Sequence, residues 1–214
     1  MVECMKKWMT TEQGAVGMNH LKEKTLHSEK LFSGRIIDLY LEDVELPNGK
    51  TSKREIVKHP GAVAVIAVTE ENKIIMVRQY RKAMERVLVE IPAGKLEKGE
   101  EPLASAKREL EEETGYTCDE LQPLISFYTS PGFADELVHL FIAKGLRKDT
   151  EEHHLDEDEF VDLLEVSLDE ALELIEKKEI YDAKTAYAVQ YLQMQTLLRK
   201  SGTAMQEFFV DLHI

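Results

Sequence analysis

The sequence predicts an α/β (α+β) domain built on a mixed sheet. Three observations lead there. Residues Ala62 to Val68 form a nearly unbroken apolar run, as expected of a strand covered on both faces. Helical patterns fall between and after the strand-like runs, over residues 102–114 and again beyond Ser167. An antiparallel β unit marked by an Asn-Gly turn precedes both.

Taken in order, Ile36 to Leu41 is strand-like, and Leu46-Pro47-Asn48-Gly49-Lys50 carries the hairpin signal. Arg54 to Val57 begins the return strand. After Ala62 to Val68, Glu70-Glu71-Asn72 forms a turn and Lys73 to Gln79 the next strand. Val87 to Ile91 is a shorter strand, followed by Pro92-Ala93-Gly94. Residues 102–114 read as a helix: Pro102 suits a first turn, and Leu103, Ala106 and Leu110 recur as a packing stripe. Phe127, Leu137 to Ala143 and Val161 to Val166 read as later strands. Ser167-Leu168-Asp169-Glu170 is a capping box opening a helix to about Lys178. A last helix runs from near Asp182 to about Lys200, and Ser201-Gly202 ends it.

The expected organisation follows. Residues 1–18 are disordered or an overhang, with Met5, Met9 and Met18 as alternative starts. Residues 19–58 are an N-terminal β portion, 59–200 the main domain, and 201–214 a tail carrying Phe208, Phe209 and Val210.

Composition narrows the function classes. The chain has 214 residues, 27 Lys plus Arg against 41 Asp plus Glu, and a formal charge of -14. That acidity argues against general nucleic-acid binding, which draws its affinity from basic surface. The two cysteines, Cys4 and Cys118, form no metal-ligand spacing, which argues against a zinc site or disulfide scaffold and suits a reducing cytoplasm. No apolar run reaches membrane-spanning length, so no membrane partner is expected.

The chemistry concentrates in Gly94 to Tyr116. Gly94 and Gly99 stand in a loop entering the helix, where glycine permits tight turns. Glu109, Glu112 and Glu113 sit at i, i+3 and i+4 and share a helix face. Such a face is either solvated or gathered around a hard divalent cation; carboxylate oxygens suit Mg²⁺ or Mn²⁺ rather than zinc. Arg108 is spaced to pair with Glu112 in either case.

This segment resembles the Nudix box, Gly-x5-Glu-x7-Arg-Glu-U-x-Glu-Glu-x-Gly-U, with U a bulky apolar residue. Gly94, Glu100, Arg108-Glu109-Leu110, Glu112-Glu113 and Gly115-Tyr116 meet all nine defined positions. The resemblance implies an α/β/α sandwich with a mixed sheet, in which the box is a loop–helix–loop between strands. It implies metal ligation by Glu109, Glu112 and Glu113 with the Ala93 carbonyl, Mg²⁺ as cofactor with Mn²⁺ possible in its place, and structural roles for Gly94, Glu100, Arg108 and Gly115.

Pro131, in Ser130-Pro131-Gly132-Phe133, lies 15 positions after Tyr116. Alone it reads as an ordinary turn. Behind a Nudix box it resembles the ADP-ribose pyrophosphatase subgroup, as do Lys53-Arg54-Glu55, Arg78-Gln79-Tyr80-Arg81 and Val89 to Gly94. That likeness implies substrate contacts from Pro131, Gly132 and Phe133, and a phosphate or ribose grip from Arg54 and Arg81. Their plainer alternative is pairing with neighbouring glutamates. It also implies a catalytic carboxylate in Leu155-Asp156-Glu157-Asp158-Glu159, with Glu157 fitting best and Glu159 the alternative, acting beside Glu112 and Glu113. His153 and His154 read as loop residues.

The implied reaction is metal-dependent cleavage of ADP-ribose to AMP and ribose 5-phosphate by a cytoplasmic homodimer whose N-terminal β portions exchange. A Nudix hydrolase for another nucleoside diphosphate sugar or dinucleotide is one alternative. A non-enzymatic ADP-ribose sensor is the other, and the full set of box glutamates speaks against it.

Overall fold

The structure is a computed structural model that describes residues 19–149 and 160–200. It divides into two compact units. Among the described residues, the first comprises 19–59 together with Ser130–Asp135, and the second comprises Pro60–Thr129 with 136–149 and 160–200.

The first unit is an antiparallel sheet in the order β1 (Lys24–Ser33), β2 (Asp38–Glu45), β3 (Thr51–Lys58). The Asn48-Gly49 turn joins β2 to β3: Leu46 N–H donates to Lys50 O at 2.7 Å, and the Asn48 side chain accepts Lys50 N–H at 3.0 Å. Gly49 takes a φ of 77°, which a side chain would disfavour. Two expectations need correction. The strand placed at Ile36 begins at Asp38, because Ile37 O accepts Gly34 N–H to close a turn. The pattern also gave no sign of β1, which is exposed along its whole length.

The Ser130–Asp135 segment belongs to this unit by its hydrogen bonds. Val57 N–H donates to Phe133 O at 2.8 Å and Asp135 N–H to Val57 O at 3.2 Å. Asp135 also accepts Lys58 Nζ at 2.9 Å and His59 N–H at 2.8 Å.

The second unit is layered. One sheet has the order β7 (Ala93–Lys95), β4 (Ala62–Ile66), β10 (Leu137–Lys144), β9 (Glu120–Tyr128). It is mixed, since β10 runs parallel to β4 and antiparallel to β9. A second sheet sets β5 (Ile74–Arg81) between β6 (Arg86–Glu90) and β12 (Val161–Val166). The short β8 (Tyr116–Thr117) and β11 (Arg147–Lys148) pair with each other.

The apolar run of β4 has a partner on each face. Val63 and Val65 pack with Ala106 and Leu110 of α1 (Pro102–Thr114), while Ala64 and Ile66 pack with Ala188 of α3 (Ala183–Lys200). Alternation along a strand sends successive side chains to opposite layers. α2 (Leu168–Glu176) adds Ala171 to a cluster with Ile74, Met76 and Val89. Its expected capping box is present, with Ser167 and Glu170 each bonded to the other's backbone N–H. The predicted stripe on α1 holds for Ala106 and Leu110 but not for Leu103, which is exposed: the stripe meets the sheet only from Ala106 onward. Among the described residues, no helix is long and apolar enough to cross a membrane.

Candidate active site

β6 ends in Glu90, and Ile91-Pro92 leads straight into β7 and then the loop before α1. Glu101 is extended and Pro102 opens the helix, where its missing N–H leaves no bond unmade. Gly115 ends it with a φ of 65° and donates its N–H to Glu111 O.

The loop is latched by Glu100. Its Oε2 accepts Glu97 N–H at 3.2 Å, and its two oxygens take Nε and Nη2 of Arg108 at 3.1 Å each. Arg108 Nη1 lies 2.8 Å from Glu112 Oε2 and 2.9 Å from Glu109 Oε1. One guanidinium thus holds a loop carboxylate and two helix carboxylates. The Glu100 hydrogen bonds, followed by the charges of Glu109 and Glu112, hold Arg108 protonated well above its ordinary range. In return Arg108 holds the Glu100 carboxyl below the usual carboxylate value.

Glu109 and Glu113 are buried, at 7% and 6% exposure, one turn apart on α1. Glu113 Oε2 accepts Ala93 N–H at 2.9 Å. The Glu109 carboxylate lies over Gly94: a β-carbon there would come within 1.9 Å of its carboxyl carbon. Two buried carboxylates therefore meet adjacent residues of β7. Glu112 is more open, at 34% side-chain exposure, and is held by Arg108. Among the described residues, no three His, Cys, Asp or Glu groups are already drawn together as a metal cluster. The donor chemistry nonetheless fits a hard cation, being oxygen only and set beside a strand whose glycine leaves room for a carboxylate.

Beside this pair stands a charged group that sequence reasoning missed. Glu90 is 1% exposed. It accepts Nε and Nη2 of Arg81 at 2.6 and 2.7 Å, and also the Lys184 ammonium. Lys184 in turn contacts Asp182 at 3.0 Å. Burial pushes the Glu90 carboxyl up, but Arg81 and Lys184 outweigh it and bring it down to about 2. The available signal was a lone charge in the apolar run Val87-Leu88-Val89-Glu90-Ile91.

The arginines expected to grip substrate are both paired: Arg81 with Glu90, and Arg54 through Nε with Glu23 at 2.9 Å. Arg54 lies in the first unit with Pro131, Gly132 and Phe133, whose turn closes through Phe133 N–H to Ser130 O at 3.1 Å. The Phe133 ring is exposed. Glu157, Glu159, His153 and His154 lie outside the described residues.

Comparison with known proteins adds an independent line. The NUDIX domain family matches residues 58–188, and the nucleoside diphosphate sugar hydrolase N-terminal domain matches residues 23–57. The chain belongs to the Nudix family.

Its relatives within the family include an ADP-ribose pyrophosphatase of Bacillus subtilis, 66% identical over 85% of this chain and 98% of that protein. A methanol dehydrogenase activator of Bacillus methanolicus is also 66% identical, over 83% of this chain and 96% of that protein. Among solved structures, an ADP compounds hydrolase aligns with a TM-score of 0.71 at 21% identity, over 86% of this chain and 97% of that one, which speaks to the fold. In this Nudix chain the two outer box glycines answer different demands. Gly94 supplies space for Glu109, whereas Gly115 has open space around it and supplies a left-handed backbone.

Proposed function

We propose that this Nudix chain hydrolyses the pyrophosphate bond of ADP-ribose, releasing AMP and ribose 5-phosphate. The observation that carries the reading is the buried pair Glu109 and Glu113 set against Ala93 and Gly94. The substrate rests on the name of the Bacillus subtilis relative and on the Pro131 position.

Glu109, Glu112 and Glu113 with the Ala93 carbonyl would hold the divalent cation, Mg²⁺ or alternatively Mn²⁺. Bound there, it would offset the negative charge of the diphosphate and polarise its phosphoryl oxygens. The chain's own groups do the rest. Arg108 holds Glu109 and Glu112 in place. Arg81 and Arg54 supply guanidinium donors to the diphosphate and terminal ribose, to which a planar fork is suited. Pro131, Gly132 and Phe133 line the substrate. Glu157, with Glu159 as the alternative, takes a proton from the attacking water as its oxygen bonds to phosphorus. The bridging P–O bond breaks in line, and no covalent enzyme intermediate forms. The protein works as a cytoplasmic homodimer, without nucleic-acid or membrane partners.

The test is phosphate release, coupled to alkaline phosphatase, across a panel of nucleotide sugars with magnesium, with and without EDTA. EDTA-sensitive preference for ADP-ribose, yielding AMP, is the expected result. Preference for another nucleoside diphosphate compound would overturn the substrate. Tight ADP-ribose binding without turnover would replace the enzyme by a sensor.

A second reading rests on the Bacillus methanolicus relative, as similar as the first: the chain would stimulate a partner dehydrogenase. Adding the chain to a methanol dehydrogenase assay tests it, with Glu113→Gln as the control that separates hydrolysis from mere contact.

A further inference from the structure

Glu90 is an anion sealed at the end of an apolar strand, its side chain 2% exposed. A buried ion pair is seldom needed to hold a strand, since well-packed apolar residues of similar volume serve as well. Its geometry points to another use. Both of its oxygens engage Arg81, at 2.6 and 2.7 Å, through Nε and Nη2. A two-point bond to a planar guanidinium fixes the plane and direction of the fork.

Arg81 keeps 40% of its side chain exposed although its partner is sealed. Its Nη1 edge takes no part in the Glu90 bond and is the edge left for a ligand. The Glu113 carboxylate is among the negative charges that act on Arg81. Lys184 completes the arrangement. Glu90 also holds the Lys184 ammonium, and Lys184 is shared with Asp182. Two cations and two anions balance within the group. Lys184 thus braces the carboxylate that orients Arg81.

Resting on the reading of Arg81 as a diphosphate ligand, we propose that Glu90 is a positioning residue for substrate binding: it aims the Nη1 edge of Arg81, and Lys184 with Asp182 braces the carboxylate that does so.

Steady-state kinetics on the full chain with ADP-ribose and magnesium test this. Arg81→Ala and Glu90→Gln should each raise KM about tenfold or more, the scale of a lost hydrogen bond to a charged group, with kcat changed far less. The double variant should be no worse than Arg81→Ala alone, and Glu90→Asp should recover part of the loss. If Glu90→Gln does not fold, Glu90→Gln/Lys184→Met withdraws one buried cation with the anion and is read in its place, with Lys184→Met as its reference. A normal KM in the Glu90 variants, or a Glu90 effect that persists undiminished in the Arg81→Ala background, overturns the positioning role while leaving Arg81 as a ligand. A normal KM in Arg81→Ala overturns the substrate reading of Arg81 itself, and the proposal with it.

Discussion

The carboxylate of Glu109 occupies the space that a β-carbon on residue 94 would fill. The contact joins the strand leading into the box to the helix that follows it, and it explains why glycine stands at this position. A methyl group there would lie about 2 Å from carboxylate atoms, so Glu109 would have to leave. Gly94→Ala should cut turnover by about 100-fold, since displacing a reacting group by an ångström has that order of effect. Overpacking should also cost about 1–3 kcal/mol of stability. Turnover and a urea titration on the same preparation check both; an alanine variant with normal turnover would show that Glu109 is not needed where it lies.

Glu113 differs from Glu109 in being tied to the backbone, through Ala93 N–H at 2.9 Å. Glu113→Gln keeps the size and removes the charge. Turnover should fall at least about 100-fold, as when a preorganised electrostatic group is lost, with circular dichroism unchanged. Near-normal rates at saturating magnesium would remove Glu113 from the metal set.

Arg108 binds Glu100, Glu109 and Glu112 at once. A lysine there carries one compact charge on a flexible stem and cannot serve three carboxylates in one plane. In Arg108→Lys the segment Glu97 to Glu101 should lose its latch, and its amides should exchange faster with deuterium. Exchange as slow as in the parent protein would mean that the loop holds without Arg108.

Acid should find the Glu90 group. Its carboxyl stands at about 2 in the folded chain against an ordinary value of 4.5. The folded state thus releases this proton more readily than the unfolded one. The resulting stability is fully present above about pH 4.5 and is lost as pH falls from there towards 2. Thermal melts across that window should show a steep decline, shallower in Glu90→Gln/Lys184→Met. Equal slopes in the two proteins would count against the ion group as the source.

How much of this the sequence revealed depends on where the information lies. The bounds of α1 were legible because Pro102, Gly115 and the Ala106–Leu110 spacing are local signals. The run in β4 announced a strand buried on both sides for the same reason. β1 was hidden because it is exposed throughout and has no buried face to impose an alternation. The Glu90 group was hidden for a different reason. Lys184 lies 94 residues from Glu90, and Glu23 lies 31 from Arg54, so only the fold brings these charges together.

One consequence concerns the way the chain is threaded. The smaller unit is assembled from two stretches that are far apart in sequence, the strands through His59 and the turn Ser130–Asp135. A fragment ending at residue 59 would lack the acceptor for Val57 N–H and the Asp135 carboxylate that receives Lys58 and His59. The N-terminal strands are therefore no detachable module. A transplant that is to keep these bonds must carry the turn at 130–135 with the strands, despite the 70 residues between the two stretches.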